Sequence, residues 1–284
     1  MAQAKAKGAG KKPDLATLAG LLIAVGGIVG GLILEGGELK DILQYTAAVI
    51  VFGGTIGAVL VATPLPVVIG AVRQLMALFF EKTVTPASTI DEIITYATKA
   101  RKNGIVSLEQ DAEQIEDPFL RKALNLAVDG TDLQEIRKMM ELEIAMEEQR
   151  VEAEAKVFEA AGGYAPTIGI IGAVLGLIQV MKNLANIDEV GHGIAVAFVA
   201  TVYGVGSANI FFLPAASKIR ARAHKMMLIR ELALEGVVGI VEGLNPKLLR
   251  IKLEAFAKES TRPVAAAKGP SSAKAPEAVP AAEG

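Results

Sequence analysis

The sequence contains no cysteine, which excludes a disulfide framework, a Cys-ligated metal site and a thiol nucleophile. It contains no tryptophan, only 5% aromatic residues, and two histidines, which leave little material for a metal centre. Charge is also scarce, at 21% of 284 residues with a formal net charge of −2. So small an imbalance excludes strong whole-chain attraction to nucleic acid. What is abundant is apolar: 52% of the residues, with a mean hydropathy of +0.43. That is too apolar for an ordinary soluble protein, so the surplus must face lipid, a partner or an unusually large core. Nothing points to a secreted enzyme.

The distribution of charge decides between these. Leu15 to Leu34 reads LATLAGLLIAVGGIVGGLIL, twenty residues without a charge. At about 1.5 Å per residue this matches a hydrocarbon core of roughly 30 Å. A second uncharged run, YTAAVIVFGGTIGAVLVA, covers Tyr45 to Ala62 and continues past Pro64 and Pro66 to Val72. A third is GGYAPTIGIIGAVLGLIQVM, Gly162 to Met181, and a fourth GIAVAFVATVYGVGSANIFFL, Gly193 to Leu213. Four spans are expected. A cleaved leader fits the first run poorly, because the run exceeds a normal h-region and lacks a clear small-residue cleavage site. Lys5, Lys7, Lys11 and Lys12 precede span one, and Lys218, Arg220, Arg222, Lys225 and Arg230 follow span four. Loops 35–44 and 182–192 hold only Lys40 and Lys182 as basic residues. The positive-inside rule then puts both termini and the segment between spans two and three in the cytoplasm.

The expected organisation is a disordered N-terminus at 1–13, spans one and two within 14–72, and a helical domain at 73–161. Spans three and four follow within 162–214, then a helical segment at 215–259 and a disordered Ala/Pro-rich tail at 260–284. Thr89-Ile90-Asp91-Glu92 reads as a capping box opening a helix that stops near Asn103-Gly104. Ser107 opens the next, which ends before Asp117-Pro118. A third starts near Thr131 or Asp132, with Ile136, Met140, Ile144, Val151, Ala155 and Phe158 at helical steps and Gly162-Gly163 as a break. No useful alternating pattern appears. The fold class is an all-α integral membrane protein: four transmembrane helices with a cytoplasmic helical domain between spans two and three.

Several features are candidates for function. Gly26-x3-Gly30, Gly27-x3-Gly31, Gly53-x3-Gly57 and Gly172-x3-Gly176 let membrane helices approach closely, either within one chain or between copies in an oligomer. Spans three and four carry no Asp, Glu, Lys, Arg or His between Gly163 and Met181 or between Ile194 and Leu213. Ion relays normally use one, so either no ion moves or a partner supplies the carboxylate. Thr201 alone reads as a packed or back-bonded hydroxyl. Pro166 and Pro214 fit a helix start and a helix end, with a hinge at the membrane boundary as the alternative. Arg101 in a last helical turn and Glu109 in a first turn complement helix dipoles without any partner. The Glu-rich face from Glu135 to Glu159 reads as a solvated surface. Neither His192 nor His224 has a ligand set around it. No enzyme and no cofactor are expected.

Three blocks carry a resemblance: KARKNGIVSLEQD (Lys99 to Asp111), YAPTIGIIGAVLGLIQVM (Tyr164 to Met181) and AVAFVATVYGVGSANIFFLPAASKIRAR (Ala195 to Arg222). In order and spacing they resemble the flagellar motor stator family of MotA and its sodium-type relative PomA, over roughly residues 15–258. TolQ and ExbB proteins share the channel pair but have one span before the main cytoplasmic segment, where this chain has two. The resemblance implies a bacterial inner-membrane protein whose copies form a ring, a pentamer around a dimer of a MotB-like partner. That partner's helix carries the ion-binding Asp, and its outer domain anchors to peptidoglycan. It further implies rotor contact at Arg101 and Glu109, against a FliG-like protein. The functional prolines fall at Pro166 and Pro214, and the ion-path threonine at Thr201. Sodium-type members carry Thr where Ala173 stands, and a Thr pair where Ala200-Thr201 stands. Hydroxyls help to replace a sodium ion's hydration shell, so their loss points to a proton as the coupling ion. The expected function is a stator subunit that turns proton flow into torque. The alternative is a TolQ/ExbB-like energiser of an envelope-spanning partner.

Overall fold

The computed structural model describes residues 12–81 and 84–260. Lys5, Lys7, Lys11 and the tail from 261 lie outside the described residues. Four helical paths are long and apolar enough to cross a membrane: Leu15–Leu34, Leu39–Ala62, Leu133–Lys182 and Ile187–Val241.

Helix α1 (Leu15–Leu34) buries none of its side chains within the chain. The second path contains α2 (Tyr45–Ala48), a π-helical turn at Val49–Gly53 and α3 (Gly54–Ala62). It ends there rather than running on to Val72. Thr63 precedes Pro64 and is forced extended, at φ −134° and ψ 134°, so the chain breaks and restarts as α4 (Leu65–Leu78). Two-residue strands, Lys12–Pro13 and Phe80–Glu81, pair antiparallel beside the end of α4.

The charged segment supplies α5 (Pro86–Asn103), α6 (Glu109–Gln114) and α7 (Pro118–Val128). The capping box that opens α5 is Thr85 with Ser88, not Thr89 with Glu92, because Pro86 takes the favourable first helical position. Ser107 does not cap α6; its hydroxyl donates to the Gly104 carbonyl within a 3-10 turn at Ile105–Leu108.

Helix α8 (Leu133–Lys182) runs 50 residues, about 75 Å, without interruption. The expected break at Gly162-Gly163 does not occur. A Cβ on Gly162 would stand 2.6 Å from Leu213 Cδ2, so glycine serves close packing there rather than a turn. The return path runs through α9 (Ile187–Ser207), a second π turn at Ala208–Phe212 and α10 (Leu213–Val241). Pro214 does not stop it. The π turn immediately before α10 re-spaces the ladder around the missing N–H. Helix α11 (Pro246–Ser260) folds back onto α5 and α10.

Three cores follow the chain from end to end. Phe119, Leu120, Leu124, Ile136, Met140, Leu232, Leu249 and Leu253 centre a bundle of α5–α7, α11 and the ends of α8 and α10. Ala71, Leu78, Val151, Phe158, Ala216 and Ile219 pack α4 against α8 and α10 at the junction. In the apolar half, small residues recur along α8 at Gly162, Ala165, Gly169, Gly172 and Gly176. Beyond Gly162, which meets Leu213, they face Gly193, Ala197, Ala200 and Gly204 of α9. Steps alternating between three and four keep one seam facing its partner over the whole length. A Cβ on Gly169 would come 2.8 Å from the Ala200 carbonyl oxygen, and one on Gly176 2.7 Å from that of Gly193. Gly26, Gly27, Gly30, Gly31, Gly53 and Gly57 have nothing within 4 Å of such a Cβ. Thus Gly172-x3-Gly176 packs within the chain, while the glycines of span one pack on nothing in it.

One carboxylate fastens these layers, and a second lies buried between them. Asp14 caps α1 through Thr17 N–H and pairs with Lys218 at 2.5 Å and Arg222 at 2.7 Å, tying span one to α10. The Lys218 ammonium dominates in holding Asp14 well below the usual carboxylate range. Glu154 is 4% exposed, which corrects the reading of the Glu135–Glu159 face as simply solvated. Its Oε1 lies 2.3 Å from where a Cβ on Gly70 would stand, Arg150 is 3.5 Å away, and Oε2 has no partner among the described residues. Glu152 and Glu159 on the same helix pair with Arg220.

A Gly204→Ala side chain would stand 2.5 Å from the Ala165 carbonyl oxygen. Overpacking against backbone should destabilise the protein by about 1–3 kcal/mol, read as a lower melting temperature in detergent. Gly30→Ala should leave the melting temperature of the isolated chain unchanged. Asp14, with its carboxyl lowered in the folded state, contributes stability that is complete at neutral pH. That contribution should fall away as the pH drops below about 4, the unfolded value. Melting curves against pH should show this loss in the parent protein, with Asp14→Asn less stable at neutral pH and flatter in acid.

Candidate functional site

The α8–α9 seam places the four expected membrane residues. Pro166 sits inside α8 rather than at a helix start, and its Cα would lie 3.2 Å from a Cβ on Gly204. Its missing N–H leaves the Gly162 carbonyl without the usual donor, and Gly162 in turn meets Leu213, the residue before Pro214. The two prolines therefore mark the same end of the pair. Thr201 is half-buried; its hydroxyl donates to the Ala197 carbonyl at 3.3 Å, a loose bond that leaves its lone pairs free. Its Cα borders Gly169, and Ala173 follows Gly172, which rests on Ala200. Thr201 and Ala173 thus flank one helix crossing, both on half-buried positions.

Arg101 and Glu109 lie on the charged bundle. Arg101 closes α5 in its last turn, Gly104 reverses the chain at φ 81° and ψ 159°, and Glu109 begins α6. That backbone region is essentially reserved for glycine. Lys99 and Asp111, paired at 2.5 Å, hold α6 to α5 across the turn. Arg101 and Glu109 are exposed, and neither joins an ion pair among the described residues. Both remain available to another molecule.

Sequence reasoning missed three groups. Asp14 has no role in the expectations above, although an acid directly before an apolar run is an N-cap signal. Tyr203 is the single phenol of the fourth span; its hydroxyl donates to the Ile42 carbonyl and accepts from Gln44 N–H, and its ring stacks on Phe52 at 5.9 Å. It thereby fastens the start of span two to α9. Glu154 had no signal distinguishing it from its solvated neighbours. Among the described residues, no cluster of His, Cys, Asp and Glu could hold a metal ion.

Comparison with known proteins agrees across most of the chain. Residues 18–104 match the model described as Motility protein A N-terminal, and 111–232 that of the MotA/TolQ/ExbB proton channel family. Motility protein A of Bacillus subtilis is 35% identical over 241 residues, covering 84% of this chain and 89% of that protein. Chemotaxis protein PomA of Vibrio alginolyticus is 32% identical over 249 residues, 88% of this chain and 97% of its own. Among solved structures, the C. jejuni MotAB structure superposes with a TM-score of 0.81 at 33% identity, covering 86% of this chain and 95% of that one. The flagellar MotAB stator complex of Bacillus subtilis gives 0.77 at 34% identity, covering 85% and 95%. On the two matched models, the level of identity and the shared helical architecture, the chain belongs to the motility protein A family of the MotA/TolQ/ExbB proton channels.

Proposed function

We propose that the chain is a stator subunit of the bacterial flagellar motor, a multi-pass inner-membrane protein that forms an ion channel with a MotB-like partner and converts ion flow into torque. The observation that carries this reading is the make-up of α8 and α9. Their membrane halves contain no Asp, Glu, Lys, Arg or His, so the charged ion-binding group must be brought by another chain. Both halves then continue as rods, 50 and 55 residues long, into the bundle that bears Arg101 and Glu109. A change of packing at the seam is delivered mechanically to that surface.

The detailed assignments extend the same reading. Copies assemble into a ring, a pentamer around a partner dimer. Both termini and the charged bundle lie in the cytoplasm, as the basic flanks of spans one and four support. The coupling ion is a proton: Ala173 and Ala200 offer no oxygen to a sodium ion, and Thr201 offers one hydroxyl. Pro166 and Pro214, at one end of the seam, are the bending points, since each removes a rung from the backbone ladder. Arg101 and Glu109 push on charge-complementary groups of a FliG-like rotor protein.

Exposed charge pairs contribute only about 0.2–1 kcal/mol each, so neutralising Arg101 or Glu109 singly should reduce torque modestly. Reversal of either charge turns attraction into repulsion and should abolish swimming while complexes still assemble. Normal torque from the double reversal on an unaltered rotor would remove both from the contact. For the ion path, Thr201→Val keeps the side-chain shape but deletes the hydroxyl. Loss of one hydrogen-bond partner at a dry site is worth about 1–3 kcal/mol, so proton uptake into vesicles bearing open complexes should slow by roughly five- to a hundredfold. Undiminished uptake at matched expression, or motility driven by sodium alone, would contradict the assignment.

A further inference from the structure

Polar side chains in spans two to four are few, and most of them bond locally. The hydroxyls of Thr55, Thr167, Thr201 and Ser207 and the amide of Asn209 each turn back on a carbonyl of their own helix. Tyr203 differs. Its hydroxyl donates to the Ile42 carbonyl and accepts from the Gln44 N–H at 3.3 Å, bridging from α9 to the start of the second path. Among the described residues of these spans, it is the one side chain that hydrogen-bonds across to another span.

This tie bears on a single packing point. The Tyr203 ring stacks on Phe52, within the π turn at Val49–Gly53. The same turn carries Ile50, whose Cγ2 lies 3.4 Å from where a Cβ on Gly172 would stand, and the Ala200 Cβ lies 2.7 Å from that point. Spans two, three and four therefore meet at Gly172. Val51, Val196 and Val199 build a small core around the contact, with Tyr203 packed against it. Ala173 follows Gly172 in the chain, and Thr201 follows Ala200. Apolar contacts are non-directional and tolerate sliding, whereas a hydrogen bond fixes distance and angle.

We propose that Tyr203 is a positioning residue for the ion path. By pinning the start of span two to α9, it sets how closely Ile50 presses on the Gly172 crossing, and so the placement of Thr201 against Ala173. The inference rests on the reading of Thr201 as the ion-path hydroxyl and goes beyond it. Tyr203 acts through Thr201 and does not itself meet the ion.

The test is a double-mutant cycle on proton uptake into vesicles bearing open complexes with the MotB-like partner, counted per assembled complex. Tyr203→Phe keeps the ring and its stack on Phe52 but deletes both hydrogen bonds. Uptake should slow roughly two- to tenfold, as for the loss of one such bond. In a Thr201→Val background the same change should cost less than about a factor of two, because the hydroxyl it positions is already gone. A purely structural role would lower the melting temperature and leave uptake per complex at the parent rate, and that result overturns the proposal. An effect that multiplies with that of Thr201→Val overturns it too, since the two residues would then act independently. If Thr201→Val alone leaves uptake unchanged, the ion-path reading fails and this inference falls with it. Should Tyr203→Phe not assemble, Phe52→Leu, which removes the stacking partner and spares the hydrogen bonds, decides through the same cycle.

Discussion

Close contact between the backbones of α8 and α9 is the constraint on which the rest of the structure depends. Lipid tails are as apolar as leucine, so burying leucines between these helices would gain little. Glycine and alanine instead let the two rods approach until carbonyl oxygens lie where a Cβ would otherwise stand. The attraction is then short-range dispersion spread along the seam. Such a contact is strong in sum, although no single directional bond carries it.

Because the rods continue through the junction, the protein combines two kinds of cohesion in single helices. Below the seam, large side chains such as Phe119, Met140 and Leu249 fill a water-excluding core. Ion pairs cross between rods at Arg220 with Glu152 and at Arg137 with Glu235. Glu152 and Glu235 are both held below the usual glutamate range, Glu152 chiefly by its bond to Arg220 and Glu235 by Arg137 and Lys252 against the opposing effect of burial. The two rods are therefore tied to each other by charge as well as by packing. The π turns at Val49–Gly53 and Ala208–Phe212 mark where helices cross this scheme without breaking.

Much of this was legible in the sequence, for reasons that can be named. The uncharged run from Leu15 to Leu34 coincides with α1 because hydrophobic length dictates a span. Asn103-Gly104 was a readable stop because the turn needs glycine's positive φ. The glycines at 162 and 163 misled, since glycine as a helix breaker and glycine as a close-packing residue look alike in one dimension. The steps through Ala165, Gly169 and Gly172 would have told them apart. Thr89 lost to Thr85 because Pro86 moved the helix start upstream. Pro214 read as a terminator, since no local pattern announces the π turn before it. Asp14 and Glu154 depend on partners 204 residues along the chain or on another helix, as with Lys218 and Gly70, and no window of sequence contains both.

Helix α1 stands apart from this rigid frame: it is latched at its start by Asp14 and buries no side chain along its length, with Leu22 and Ile23 at 73% and 74% exposed. Its 20 residues span about 30 Å, the mean hydrocarbon thickness, with nothing to spare. Helices α8 and α9, by contrast, pack on each other along the seam and run on into the bundle below. Helix α1 can answer a thicker or thinner bilayer by tilting about its latch. A mismatch between protein and membrane would therefore be met by tilt of this helix sooner than by any change in the seam.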